Sequence, residues 1–419
     1  MWTVISGGVG NFTRGTEGSL IFDSATNRLI VGGATRVNLE GEINPTGGTN
    51  TAAFFSAYTT DGNRVLTQIL GAAGYDTNGI GARVDGTGNI YVGGSTFGSL
   101  DGQTINSASR QLFVTKYNSG GTKQWTRARN PGGGYTEGTA LAVDTGGNTY
   151  TAGYMNGASF DSIANTANTE NAAILVNHDT NGNWVATRLW CNPSFATLRG
   201  VEAYAVTIDN AGNIWTAGMS RSASYCANPG AGSLTPTLFK FNSSMTYQSC
   251  GSVSATGTSN FVFGIVSDTA GNIYAAGYAD GTLDAIGATG TLDAFFIKFD
   301  NNGTRIFTRR LGIGGATTKA YAITRSPDDN YYITGETSGN LNGQTKNGTI
   351  DMFVAKYDNA GNLQWVKLMG AVGTTAKGTG LAFDNNNTIY VSGFSNGNYD
   401  GVTNPAAPND AMVVTRFVR

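Results

Sequence analysis

Charge is scarce in this chain. Asp, Glu, Lys and Arg together make 13% of the 419 residues and nearly cancel, leaving a net charge of −2. No basic field exists to draw in nucleic acid or an anionic membrane surface. Histidine occurs once, at His178, so a His-Glu-x-x-His metal motif cannot be built. The three cysteines, Cys191, Cys226 and Cys250, lack metal-ligand spacing. No apolar run reaches the roughly 18 residues of a spanning helix, and no secretory leader is visible at Met1. Helical periodicity is missing throughout.

What the chain has instead is glycine, 61 residues of it, and a repeat. The segment Asp85-Gly-Thr-Gly-Asn-Ile-Tyr-Val-Gly-Gly94 recurs with first residues at Asp23, Asp85, Asp144, Asp209, Asp268, Ser326 and Asp384. A period of about 60 residues signals a repeat architecture. Asp-x-x-Gly-Asn is turn chemistry: the Asp carboxylate bonds backbone N–H groups ahead of it, and Gly or Asn accepts positive φ. Apolar runs flank the turn, as at Ala82–Val84 and Ile90–Val92, which predicts a hairpin of strands A and B. A second hairpin, strands C and D, follows in each repeat, with entry strands such as Leu112–Tyr117 and Met352–Tyr357.

The two ends of the chain complement each other. Met1–Gly7 aligns with Gln364–Gly370, so it reads as a strand D with no A, B or C before it. The last repeat stops after its strand C, Met412–Phe417. A closed ring reconciles the two, and four-stranded sheets repeated around an axis make a β-propeller. The expectation is an all-β, seven-bladed propeller with four antiparallel strands per blade. Residues 1–419 form one domain, with repeats starting near 18, 80, 139, 204, 263, 321 and 379, and residues 1–7 supply the outer strand of the last blade.

Position within the repeat assigns further roles. Ser19, Gly81, Ala140, Ala205, Gly264, Ala322 and Gly380 are all small, as an innermost strand A crowded around an axis requires. Tyr58, Tyr117, His178, Phe241, Phe299, Tyr357 and Phe417 end strand C and should pack between sheets, which gives His178 a packing role rather than a catalytic one. The residue before them is basic at Lys116, Lys240, Lys298, Lys356 and Arg416, and alternation puts it on the opposite side. A structural cation reaching a neighbouring carboxylate or solvent explains it better than a ring of cations for a ligand. Between strands B and C a short signature survives, Leu39-Glu-Gly, Leu100-Asp-Gly, Phe160-Asp-Ser, Leu283-Asp-Ala, Leu341-Asn-Gly and Tyr399-Asp-Gly. Its apolar residue should anchor the loop and its acid start a turn. Calcium is the metal that such oxygens would suit, but one carboxylate per loop is short of a cage. No cofactor is expected.

The motif pair Asp85–Thr96 and Asp351–Asn362 resembles the SBBP, or seven-bladed β-propeller, repeat family over nearly the whole chain. The resemblance weakens at Ser326 and in the fourth repeat. It implies a bacterial protein of the secreted or surface-exposed type and carries no catalytic residues with it.

Topology then places chemistry. The A–B and C–D turns are short and uniform. The B–C and D–A loops vary in length and composition, and they leave from the opposite face. A site of any specificity belongs there, with Phe97, Asn106, Tyr225 and Tyr399 as candidate partner contacts. Cys226 lies in a B–C loop and Cys191 and Cys250 end D strands, so all three share that face. A Cys226–Cys250 disulfide would staple the one loop without the Leu-Asp-Gly signature and leave Cys191 free. It needs an oxidising compartment. The function this supports is a non-catalytic, monomeric binding or adhesion scaffold on the outer cell surface or outside the cell, engaging a protein or glycan. The alternative is a carbohydrate-active enzyme of glycosidase or lyase type at the axial mouth. The lack of repeat-breaking His, Arg and Tyr clusters in the sequence favours the scaffold.

Overall fold

The computed structural model describes residues 2–103, 109–129, 134–165, 170–190, 200–221, 226 and 234–417. Seven four-stranded antiparallel sheets are arranged as blades around an axis. Blade one is Thr13–Asp23, Arg28–Thr35, Ala52–Thr59 and Arg64–Leu70, strands A to D in order, and blades two to six follow the same plan. Blade seven takes Ala376–Phe383, Ile389–Ser395 and Ala411–Phe417 from the end of the chain and Trp2–Ser6 from its beginning. The closing pair is antiparallel, with Trp2 opposite Arg416 and Ser6 opposite Met412.

The A–B turns form as their chemistry dictates. The Asp85 carboxylate accepts the backbone N–H of Thr87 at 2.9 Å and of Asn89 at 3.0 Å, and the Asn89 amide at 2.8 Å. Where Ser326 replaces Asp, its hydroxyl accepts the Asn330 N–H at 3.1 Å and donates to Asp328 at 2.6 Å. The turn therefore survives the substitution.

Two devices lock blade to blade. The basic residue of strand C reaches the next blade: Lys116 Nζ donates to the Thr180 carbonyl at 3.1 Å, and Lys240 Nζ to that of Asn301 at 2.7 Å. Each also lies over a strand-B ring, Tyr91 at 5.2 Å and Trp215 at 5.1 Å. The acceptor is thus a turn carbonyl rather than the carboxylate or solvent expected from sequence. In the second device, the strand-D aromatic packs on the glycine of the next C–D turn. A Cβ on Gly62 would meet Trp2, on Gly182 Trp125 and on Gly361 Phe307, each within 2.8 Å. These glycines sit at φ of +87°, +78° and +82°, so both space and backbone require them.

The B–C signature is an anchor and a latch. Its apolar residues Leu39, Leu100, Phe160, Leu283, Leu341 and Tyr399 are all buried. The next residue adopts positive φ in every case, from Glu40 to Asp400. The acidic side chain at this place bonds strand D of the same blade: Glu40 accepts from Thr67, Asp101 from Thr126, Asp161 from Thr187 and Asp400 from Thr3. Glu40 also accepts from Tyr58 of strand C at 2.7 Å and, across the seam, from Ser6 of blade seven at 2.8 Å. These acids are spent on holding loops down. Among the described residues no three His, Cys, Asp or Glu side chains converge as metal ligands.

Candidate axial binding site

Strand A carries a β-bulge in every blade, and the bulge shapes the axis. In blades three to seven the register slips by one residue, at Thr139, Tyr204, Phe263, Tyr321 and Thr379. Each lies just before the small residue of the repeat. A bulge re-aims the side chain it frees; Thr139 donates to the Ala203 carbonyl of the next blade and Thr379 lies against the Ser19 hydroxyl, while Tyr204, Phe263 and Tyr321 turn to rings of neighbouring blades.

The consequence is a crescent of rings contributed by four consecutive blades. Tyr135 meets Tyr154 at 6.3 Å and Tyr154 meets Tyr204 at 6.1 Å. Tyr204 meets Phe261 at 5.8 Å and Phe263 at 5.4 Å. Phe261 and Phe263 meet Tyr278 at 5.6 and 5.5 Å, and Phe263 meets Tyr321 at 5.8 Å. All seven rings are partly open to solvent, unlike the core aromatics of the sheets. The sequence-based expectation that no tyrosine cluster breaks the repeat is corrected by this crescent. The rings come from repeats about 60 residues apart, so no local cluster announces them.

Polar groups are set between the rings. Glu202 accepts from the Tyr204 hydroxyl and from Asn171 Nδ2 at 2.6 Å, and Tyr135 donates to Asn171 Oδ1 at 3.1 Å. Glu336 accepts from Tyr321 at 2.7 Å and pairs with Lys377 at 2.8 Å and Lys319 at 3.8 Å. Arg110 pairs with Glu137 and lies over the Phe97 ring at 4.7 Å. Arg14 pairs with Asp410 at 2.5 Å. Burial and the neighbouring carboxylates hold the hydroxyls of Tyr204, Tyr278 and Tyr321 above the ordinary tyrosine pKa, so they act as neutral donors. The charges of the mouth largely pair off within it.

Blade one supplies a plug. Its register slips between Gly15 and Leu20, so Thr16–Ser19 is a longer bulge than any other. Strand A of blade one consequently lies close to the A strands of blades five and six, across the ring. Glu17, at the tip, is open to solvent along the axis but crowded by protein. That crowding raises its pKa, partly offset by a hydrogen bond to its own backbone and by the attraction of Lys377. Beneath the plug the axis widens into a cavity of about 610 Å³ that faces the A–B turns.

The four contacts expected from sequence fall as follows. Phe97 is half-buried at the rim, under Arg110. Tyr399 is 2% exposed, with its hydroxyl 3.6 Å from Met352 Sδ, and it serves as the loop anchor of blade seven. It is therefore closed to a partner. Asn106 and Tyr225 lie outside the described residues, as does Cys191. Cys226 and Cys250 are joined by a disulfide within blade four, Cα atoms 5.5 Å apart. His178 is 1% exposed at its strand-C position, and its pKa is lowered to about 4, first by burial and then by Arg129 and Arg127.

Two segments, residues 306–342 and 364–400, match the family model of the SBBP beta-propeller repeat. An uncharacterized WD repeat-containing protein of Acanthamoeba polyphaga mimivirus is 27% identical over 180 residues, 34% of this chain. The chain spans 13% of that relative's length. Solved structures with a similar layout include the beta-propeller domain of the Trilobed protease from Pyrococcus furiosus, 8% identical, with a TM-score of 0.43 over 94% of this chain and 95% of that one. Drosophila Plexin A, solved in complex with Semaphorin 1b, is 9% identical, with a TM-score of 0.41 over 98% and 88%. A protein of unknown function from Bacteroides caccae is 12% identical, with a TM-score of 0.39 over 75% and 89%.

Proposed function

We propose that this protein, a propeller carrying SBBP repeats, is a non-catalytic binding scaffold whose ligand seat is the axial mouth on its loop face. The observation that carries the reading is the aromatic crescent from Tyr135 to Tyr321. The constant positions of the repeat build turns, anchors and blade contacts. The positions around the mouth differ from blade to blade: Asn78, Glu137, Glu202, Phe261, Lys319 and Lys377 occupy one and the same place in strand A. Variation gathered on one face of a rigid frame is the pattern of a specific site.

The chemistry of the mouth fits a neutral saccharide better than a charged ligand. Ring faces stack on the apolar faces of sugars, while carboxylates, amides and tyrosine hydroxyls at fixed places bond sugar hydroxyls. Internal ion pairing leaves little net field for a charged partner to exploit. A protein partner would reach the same rings through the loops. The second reading, a carbohydrate-active enzyme, draws on Glu202 and Glu336, two carboxylates positioned by crescent tyrosines. The Cys226–Cys250 bond supports work in an oxidising, extracellular compartment, and a monomer suffices for a site on one axis.

The test is a panel of neutral and acidic oligosaccharides titrated onto the protein, alongside an array of surface proteins. Binding of neutral oligosaccharides without their cleavage is the expected result. Cleavage of any bound sugar would move the protein to the second reading, and binding of proteins alone would overturn the saccharide assignment.

A further inference from the structure

The cavity beneath the plug is a separate feature on the opposite half of the axis. Seven side chains two places before the repeat start form a ring in its wall, one from each blade. Six are uncharged: Ile21, Ala142, Thr207, Val266, Thr324 and Ala382. The seventh is Arg83.

Arg83 breaks the repeat at a place where a cation is costly. Its Nη1 donates to the Gly18 carbonyl of the plug at 2.7 Å and to its own Ala82 carbonyl at 2.8 Å. Among the described residues no carboxylate pairs with it. The other arginine of the wall, Arg325, is tied to Asp329 at 2.6 Å. Burial alone lowers the Arg83 pKa to about 10, which leaves it charged at neutral pH. A half-buried cation without a counter-charge is held at a penalty unless something from outside completes it. The guanidinium fork suits a carboxylate, which it can bind through two parallel N–H groups. One cation without a backbone nest favours a monoanion over a phosphate. On the plug side of the ring the wall is aliphatic, with Leu20, Val206, Ile265, Ile323 and Leu381, while toward the A–B turns Val143 and Ile208 alternate with polar groups, among them the turn-bonded Asp384. A volume of about 610 Å³ lies within the range of roughly 300–1,000 Å³ typical of small-molecule pockets.

We propose that this vestibule is a second binding site, for an aliphatic monocarboxylate whose head group pairs with Arg83 below the plug and whose tail packs on the aliphatic wall of the cavity. It does not depend on what occupies the mouth.

Calorimetric titration of the whole protein with octanoate, 1-octanol and sulfate at matched ionic strength tests this. Octanoate should bind one per chain, with 1-octanol and sulfate much weaker. Arg83→Met should weaken octanoate roughly 10-fold or more, and Arg83→Lys should fall between, because it keeps the charge and loses the fork. Arg83→Met should still melt cooperatively, since it removes an unpaired cation. If it does not fold, Thr207→Phe, which puts a ring into the cavity from a half-buried wall position and leaves Arg83 intact, must abolish binding. Equal binding of octanoate to wild type and Arg83→Met, no octanoate binding at millimolar concentration, octanoate retained by Thr207→Phe, or sulfate binding as tightly as octanoate would each overturn the proposal.

Discussion

The indole Nε1 of Trp2 donates to the carbonyl of Thr60 at 3.0 Å, which joins the first strand of the chain to the first C–D turn across the seam of the ring. The same bond recurs between Trp125 and Thr180 at 3.1 Å, where no seam exists. Closure of the ring therefore uses the ordinary blade-to-blade contact.

Trp2→Ala should cost on the order of 2 kcal/mol, less than a fully buried tryptophan because the ring is only half-buried. Deleting residues 1–7 should do more, because it bares the edge of Ala411–Phe417 to pairing with other chains. Thermal melts and light scattering check both. A truncated protein with the parent melting temperature and no aggregation would show that the seam is held elsewhere.

His178 predicts a pH dependence. Its pKa is about 4 in the fold against about 6.5 when unfolded, so the unfolded chain binds the extra proton between these values. Stability from this residue is fully present above about pH 6.5 and is lost as pH falls toward about 4, by up to about 3 kcal/mol. Below about pH 4 the folded state takes the proton as well, and the loss levels off. His178→Phe, which restores the ring found at Phe241, Phe299 and Phe417, should flatten this slope in urea unfolding between pH 4 and 7.

The Cys226–Cys250 bond closes a loop of 24 residues' separation. Its removal by Cys226→Ser with Cys250→Ser should cost roughly 3 kcal/mol through the unfolded chain. Alkylation of the parent without reductant should label one thiol per chain, at Cys191. Labelling of three would mean that the bond does not form in the protein as isolated.

Much of the fold was legible because structural roles repeat. Asp85 and its counterparts hold turns, Leu39 and its counterparts anchor loops, and Trp2 matches Trp365 in sequence. The mouth was less legible because its residues are those that do not repeat. Tyr204, Phe263 and Tyr321 share one position, but only the bulge turns them to the axis, and nothing in the local pattern marks a bulge. Their signal was available in comparison across repeats, as was that of Arg83 among Ile21, Ala142 and Thr207. Tyr399 shows the reverse. Its place in the Leu-Asp-Gly signature already marked it as an anchor, and burial follows from that place rather than from its hydroxyl.

The central claim, that the mouth on the loop face holds the ligand, is tested most directly by one affinity map. A bound neutral oligosaccharide is titrated onto Tyr204→Ala, Tyr278→Ala and, on the opposite face, Thr87→Lys, each first shown to melt cooperatively. Each lost stacking ring should weaken binding roughly 10-fold, on the scale of 1–3 kcal/mol per stacked aromatic contact, while Thr87→Lys leaves it unchanged. Unchanged affinity in both tyrosine variants, with loss in Thr87→Lys, would contradict the account.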